Sequence, residues 1–239
     1  MGEGKLVLGI VGGMGSYATV DFFKRVVDAF PAEYEWDRPR ILIDNNCVMP
    51  SRVRAILYNE RRAELASMLA ESTKNLMAAG ATHIVYACNT SHVFIPEVLE
   101  ILPEAEGKLL HIIDLCGQQV KDAGAESAYL LATEGTIQTG IYQDRFEPFG
   151  IEIEAADAEE QKLLREFIET VKQNKIDEAA AARFCDYLNT RGRKHIILGC
   201  TELPVLFGHV KGLDPSIHIY DPVQAAIDLV VKLYNQDEA

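Results

Sequence analysis

The chain has 239 residues, 48% hydrophobic and 25% charged, with a formal net charge of −13. That length buries one large core or two modest ones, and the acidity excludes nucleic acid and anionic membrane surfaces as partners, because both require a basic footprint. No apolar run approaches a membrane span, and the glycine-rich start Met1-Gly2-Glu3-Gly4-Lys5 has no signal-type apolar core, so the expectation is a cytoplasmic protein. Its five cysteines, Cys47, Cys88, Cys116, Cys185 and Cys200, are odd in number and lack CxxC spacing, which predicts reduced thiols.

In chain order, short apolar runs predict strands over residues 5–11, 40–44, 83–87, 109–113, 127–132, 151–154, 195–198 and 217–220. Several are β-branched and unbroken, as strands of a buried parallel sheet are. Between them lie amphipathic stretches. Residues 60–79 place Leu65, Met68, Leu69 and Leu76 on one helical face, and residues 159–172 do the same with Leu163, Leu164, Phe167, Ile168 and Val171. Asp221-Pro222 supplies an N-cap and a first-turn proline for a closing helix. Alternation of this kind predicts an α/β fold.

One phrase occurs twice. His83-Ile84-Val85-Tyr86-Ala87-Cys88-Asn89 is echoed by His195-Ile196-Ile197-Leu198-Gly199-Cys200-Thr201, and in each case a glycine, Gly80 or Gly192, stands eight residues before the cysteine. Helix, glycine cap, strand and thiol therefore repeat. Each half also has an upstream strand ending in a small-residue loop, at Gly12-Gly13-Met14-Gly15 and at Ala132-Thr133-Glu134-Gly135. The prediction is two pseudo-symmetric α/β domains, residues 1–110 with 218–239 and residues 111–217, each with a mostly parallel sheet flanked by helices and with the site in the cleft between them.

Ligands of open α/β sheets bind beyond the carboxyl ends of the strands, which is where Cys88 and Cys200 fall. A single such thiol is ordinarily a small buried hydrophobe; two at matched positions point to proton transfer from opposite faces, one thiolate removing a proton and one thiol delivering another. Asn89-Thr90-Ser91 and Thr201-Glu202 follow as helix openings whose backbone N–H groups suit a carboxylate. Cys47, Cys116 and Cys185 have no such partner.

These residues resemble the aspartate/glutamate racemase family of cofactor-independent amino-acid racemases. The resemblance is carried by Gly12-Gly13-Met14-Gly15, Asn45-Asn46 with Pro50 and Arg52, Cys88-Asn89-Thr90 with His92, residues 130–136, and Gly199-Cys200-Thr201-Glu202, spread over almost the whole chain. It implies Cys88 and Cys200 as the catalytic pair, acting on an acidic amino acid, aspartate or glutamate, without pyridoxal phosphate or metal, in a homodimer. It further implies Arg52 as the clamp on a side-chain carboxylate, Lys172 as a second cation in competition with Lys162 and Lys175, Asn89, Thr90, Thr133 and Thr201 as hydrogen-bonding groups, and Met14 in the pocket wall. Ser16-Tyr17 and Cys47 depart from the family pattern, so the substrate pocket is expected to be reshaped.

Other readings remain open on the residues alone. Gly13-Met14-Gly15-Ser16-Tyr17-Ala18 fits a dinucleotide fingerprint with Asp44 as the ribose acid, and leaves both cysteines unexplained. Cys88 and His92 have the four-residue spacing of metal ligands on a helical turn. A hydantoin racemase, a single-thiol decarboxylase or a non-catalytic amino-acid sensor would share the fold.

Overall fold

The computed structural model describes residues 6–237, so Lys5, expected to begin the first strand, lies outside the described residues. Two all-parallel sheets form. In the first, β1 (Val7–Gly12) lies between β2 (Arg40–Asn45) and β3 (His83–Tyr86). In the second, β4 (Ser127–Leu131), β5 (Glu152–Ala155), β6 (His195–Leu198) and β7 (His218–Tyr220) are ordered β5-β4-β6-β7.

Side-chain alternation explains how the sheets are joined. Successive residues of a strand point to opposite faces. Leu8, Ile10, Val85 and Ala87 of the first half share one apolar core with Ala128, Leu130, Ala132 and Ile197 of the second. Their neighbours Val11, Ile84 and Tyr86 point instead into a core closed by α3 (Arg62–Ala78) through Leu65, Leu69 and Leu76. In the second half, Tyr129, Leu131, Ile196 and Leu198 pack under α8 (Ala158–Lys172) and α9 (Glu178–Thr190). Leu69 is wholly buried; truncating such a side chain to alanine costs roughly 2–5 kcal/mol. The central core is completed by α1 (Ser16–Ala29), α5 (Ile112–Asp122), α7 (Ile141–Phe146) and the closing helix α11 (Pro222–Asp237), through Phe22, Ile113, Cys116, Tyr142, Ile227 and Val230. The two halves thus rest on a common apolar centre.

The doubled phrase is a doubled structure. Gly80 (φ +102°) and Gly192 (φ +65°) stop the helices before β3 and β6 in the left-handed region that favours glycine. At the first, the Gly80 amide donates to the Met77 carbonyl at 2.9 Å and the Ala81 amide to Leu76 at 2.9 Å.

Two expectations are corrected. Residues 109–113 do not form a strand: only Leu109 bridges to Ile84, and α5 begins at Ile112, because Ile112, Ile113, Cys116 and Val120 have helical spacing and all enter the central core. Residues 218–220, assigned by sequence to the first half, belong to the second sheet. β7 pairs with β6, and the Tyr220 hydroxyl lies 3.0 Å from His195 Nδ1. The bridge at Leu109 occupies in the first sheet the position that β7 fills in the second. Asp221 caps α11, accepting from the Val223 amide at 2.9 Å, and its other oxygen pairs with Arg25 of α1 at 2.6 Å. Burial raises the Asp221 carboxyl above its usual range despite that cation. None of the helices among the described residues is long and apolar enough to cross a membrane.

Candidate active site

Four strands end at one place, two from each sheet. After β1 the chain turns through Gly13-Met14-Gly15 into α1, and after β3 Cys88 opens a short 3-10 turn over Asn89–Phe94. After β4 Thr133 caps α6 (Glu134–Thr139), its hydroxyl accepting from the Thr136 amide at 3.3 Å. After β6 Cys200 and Thr201 lead into α10 (Glu202–Phe207). With α2 (Arg52–Tyr58) and the end of α8, these segments enclose a cavity of about 60 Å³. Met14, Arg52, Cys88, Asn89, Thr90, Thr133, Lys172, Cys200 and Thr201, all singled out from the sequence, line it together with Ser51, Val53 and Glu202.

Both thiols are buried, Cys88 at 7% exposure and Cys200 at 6%, yet each forms part of the cavity wall. Their surroundings differ. Cys200 Sγ donates to Glu202 Oε2 at 3.0 Å, and the Thr201 hydroxyl reaches the same oxygen at 3.4 Å. Glu202 is itself buried, and its second oxygen, Oε1, has no partner. Gly15 makes room for it, since a Cβ at Gly15 would collide with Oε1. Burial, then the charge of Glu202 and its hydrogen bond, push the Cys200 thiol well above its ordinary pKa, so Cys200 is held protonated. Lys172 opposes this weakly. Burial pulls the Lys172 amine down, but Glu202, Cys200 and Glu169 outweigh it and hold the amine above its usual value, hence cationic.

At the other wall, the amide of Asn89 is fixed by a 2.6 Å hydrogen bond from Tyr142 Oη to its Oδ1, leaving Nδ2 buried without a partner beside the cavity. Thr90 Oγ1 lies 2.9 Å from Thr136 Oγ1 and 3.2 Å from Thr133 Oγ1, a hydroxyl cluster that joins the two halves. Arg52 is oriented by its own donors, which reach the carbonyls of Met14 at 2.7 Å and Pro50 at 3.0 Å. Ser91 Oγ donates to Met14 Sδ at 2.8 Å and fixes that wall. The cavity therefore offers guanidinium, amide and hydroxyl donors suited to a carboxylate, between two thiols.

His92 points away from this cavity. Its Nδ1 lies 3.0 Å from the Cys88 carbonyl, its ring packs on His111 at 5.0 Å between centroids, and burial pushes its pKa down to about 4, so it is neutral. Among the described residues no group of three or more His, Cys, Asp or Glu is arranged to hold a metal ion. Cys116 and Cys185 are buried in helices, and Cys47 is exposed.

Sequence reasoning gave no side-chain role in the site to Glu202, Thr136 or Tyr142. Glu202 was visible as the acid two residues after the thiol, but an acid opening a helix ordinarily stays solvated near the positive helix end; its burial is a tertiary fact. Thr136 and Tyr142 act through contacts across 46 and 53 residues of chain, which no local pattern encodes.

The family model of the Asp/Glu/hydantoin racemases matches residues 11–230. The chain belongs to that family. As a racemase of the family it is an isomerase, and its relatives agree in kind. It is 27% identical over 220 residues to the broad specificity amino-acid racemase RacX of Bacillus subtilis, covering 88% of this chain and 92% of that protein. It is 29% identical over 223 residues to a glutamate racemase of Sulfurihydrogenibium, covering 86% of this chain and 75% of that one. Among solved structures, the aspartate racemase of Picrophilus torridus superposes with a TM-score of 0.82 at 26% identity, over 96% of this racemase and 94% of that chain.

Proposed function

We propose that this racemase inverts Cα of a free acidic amino acid, aspartate or glutamate, by a two-base transfer between Cys88 and Cys200 with no cofactor. The observation that carries the reading is the convergence of both thiols, from matched strand ends of the two halves, on one cavity rich in carboxylate donors.

The protonation of Cys200 follows from its surroundings. Cys200, kept as a thiol by burial and Glu202, is the donor, which leaves Cys88 the part of the base in this direction. The Cys88 thiolate takes the Cα proton, and the electron pair released from the C–H bond spreads into the α-carboxylate, held by Asn89 Nδ2 and the Thr90 and Thr133 hydroxyls. The Cys200 S–H then delivers its proton to the opposite face. Cys88 ends as a thiol and Cys200 as a thiolate, the arrangement needed for the reverse reaction. Arg52 and Lys172 supply positive charge for the substrate's second carboxylate.

A broader substrate range is the second reading, favoured by the larger cavity that adjoins this one and by the broad specificity of the Bacillus subtilis relative. We also propose a cytoplasmic homodimer. Tyr17, Val20 and Phe23, exposed on α1, offer apolar surface to a second copy, and light scattering at about 53 kDa rather than the chain mass of 26.5 kDa checks it.

Incubation of each enantiomer of the standard amino acids in heavy water tests the function. Loss of optical rotation with deuterium entering Cα, fastest for aspartate or glutamate and without added cofactor, is expected. Absence of exchange across the panel rules the function out.

A further inference from the structure

The catalytic cavity is small. About 60 Å³ accommodates roughly four to six water-sized groups, enough for the ammonium, Cα and carboxylate of an amino acid and little more. A second cavity of about 230 Å³ opens from it, sharing Ser51, Val53, Thr133 and Lys172 with the first. Its remaining wall is the face of α8 that carries Gln161, Arg165, Ile168 and Glu169, with Glu134 opposite.

Two features define what that space suits. Its charges cancel: Arg165 pairs with Glu134, and Lys172 pairs with Glu169 at 3.3 Å. A carboxylate carried past Arg52 and Lys172 into this space would face Glu134 and Glu169 in its wall. The second feature is an unmet donor. Gln161, 7% exposed, lines the cavity with its Nε2 buried and unpartnered. A buried amide left in that state costs about 1–3 kcal/mol, recovered when an acceptor arrives. A group that brings a carbonyl oxygen for Gln161 and N–H donors for Glu134 or Glu169, with no net charge, satisfies both features. That group is a carboxamide, and Val53 and Ile168 in the same lining suit the methylenes that carry it.

We propose that this outer cavity is a side-chain subsite for long, uncharged, carboxamide-bearing amino acids, glutamine foremost, beyond the acidic substrates. The proposal rests on the reading that Cys88 and Cys200 act on Cα in the inner cavity, since it places the side chain relative to that centre. Asparagine, one methylene shorter than glutamine, is expected to make less use of Gln161. Glutamate, whose second carboxylate is met by Arg52 and Lys172, gains nothing from Gln161.

The test uses the full-length enzyme and a panel that separates length from charge: the enantiomers of aspartate, asparagine, glutamate and glutamine, followed by Cα deuterium exchange. Glutamine is expected to exceed asparagine in kcat/KM by about tenfold, the size of one hydrogen bond to a buried donor. Gln161→Leu should lower glutamine turnover by about tenfold and leave aspartate within about twofold. Gln161→Glu, which keeps the shape should the leucine variant misfold, should remove the glutamine advantage as well. Asparagine matching glutamine, or either variant slowing all four substrates alike, overturns the proposal. Calorimetric titration with the racemic amino acids keeps the two readings separable. If no substrate exchanges, the racemase reading falls, and glutamine binding that is tighter than asparagine binding and weakened by Gln161→Leu still supports the subsite. Equal binding of the two contradicts it.

Discussion

The two ends of the repeated motif share a backbone plan and differ in chemistry. Both thiols follow a buried four-residue strand preceded by a glycine-capped helix, and both lie within the wall of one cavity. At Cys200 the next turn brings a buried carboxylate onto the sulfur, whereas at Cys88 it brings an amide and hydroxyls, and the nearby histidine turns its nitrogen to a carbonyl. Symmetry of the scaffold brings two thiols to one cavity. Asymmetry of the neighbours holds Cys200 protonated through burial and Glu202, as the donor of the proposed two-base exchange must be.

Removing either thiol breaks the comparison most severely. Cys88→Ser and Cys200→Ser are each expected to lower racemisation by about a hundredfold to ten-thousandfold, measured by polarimetry with circular dichroism to confirm folding. Full rate in either variant would show that one base suffices.

Next in size is Glu202→Gln, which erases the difference between the two thiols. With the carboxylate gone, its charge no longer opposes ionisation of Cys200, and the thiol pKa falls. Alkylation by iodoacetamide, followed by mass spectrometry of the Cys200 peptide against pH, should show the reactive limb moving to lower pH, with turnover down by about tenfold or more. Glu202→Asp should restore part of the profile. An unmoved limb would separate Glu202 from the thiol's ionisation.

His92 sharpens the comparison from the Cys88 side through stability. Its folded pKa of about 4 lies below the ordinary 6.5, so the unfolded chain binds more protons between those values and stability falls as pH drops through that window. Between pH 7 and pH 5 the loss from His92 alone is about 2 kcal/mol, and depression of the neighbouring His111 acts in the same sense. Urea unfolding at the two pH values should show this slope, reduced in His92→Gln. The smallest effect belongs to Cys47→Ser. This exposed thiol, 3.1 Å from Ser16 Oγ, lines no part of the cavity, and its loss should leave turnover within about twofold and stability within about 0.5 kcal/mol.

Much of this was legible in the residues because it is local or repeated. The strands before the thiols, the faces of α3 and α8, and the capped start of α11 follow from periodicity, glycine and proline alone. Residues 110–113 were misread because an apolar run ending in two isoleucines at the start of an amphipathic helix looks like a strand until the next two turns are counted. The strand over residues 218–220 was recognised, but its sheet was not: three residues carry no address, and the contacts that accompany its pairing with β6, His195 stacked on His218 and the Tyr220 hydroxyl at His195, are tertiary. The surroundings of Cys200 were invisible for a different reason. An acid two residues past a thiol is unremarkable in sequence, and only the absence of a side chain at Gly15, in the other half of the molecule, lets it lie buried against the sulfur.

The claim that two thiols on opposite walls share one Cα proton transfer is tested most directly by early-time exchange in heavy water, starting from one pure enantiomer and stopping within the first few per cent of turnover. The account predicts deuterium at Cα of the newly formed enantiomer while recovered substrate retains protium. Deuterium accumulating in recovered substrate as fast as in product would mark a single base and contradict it.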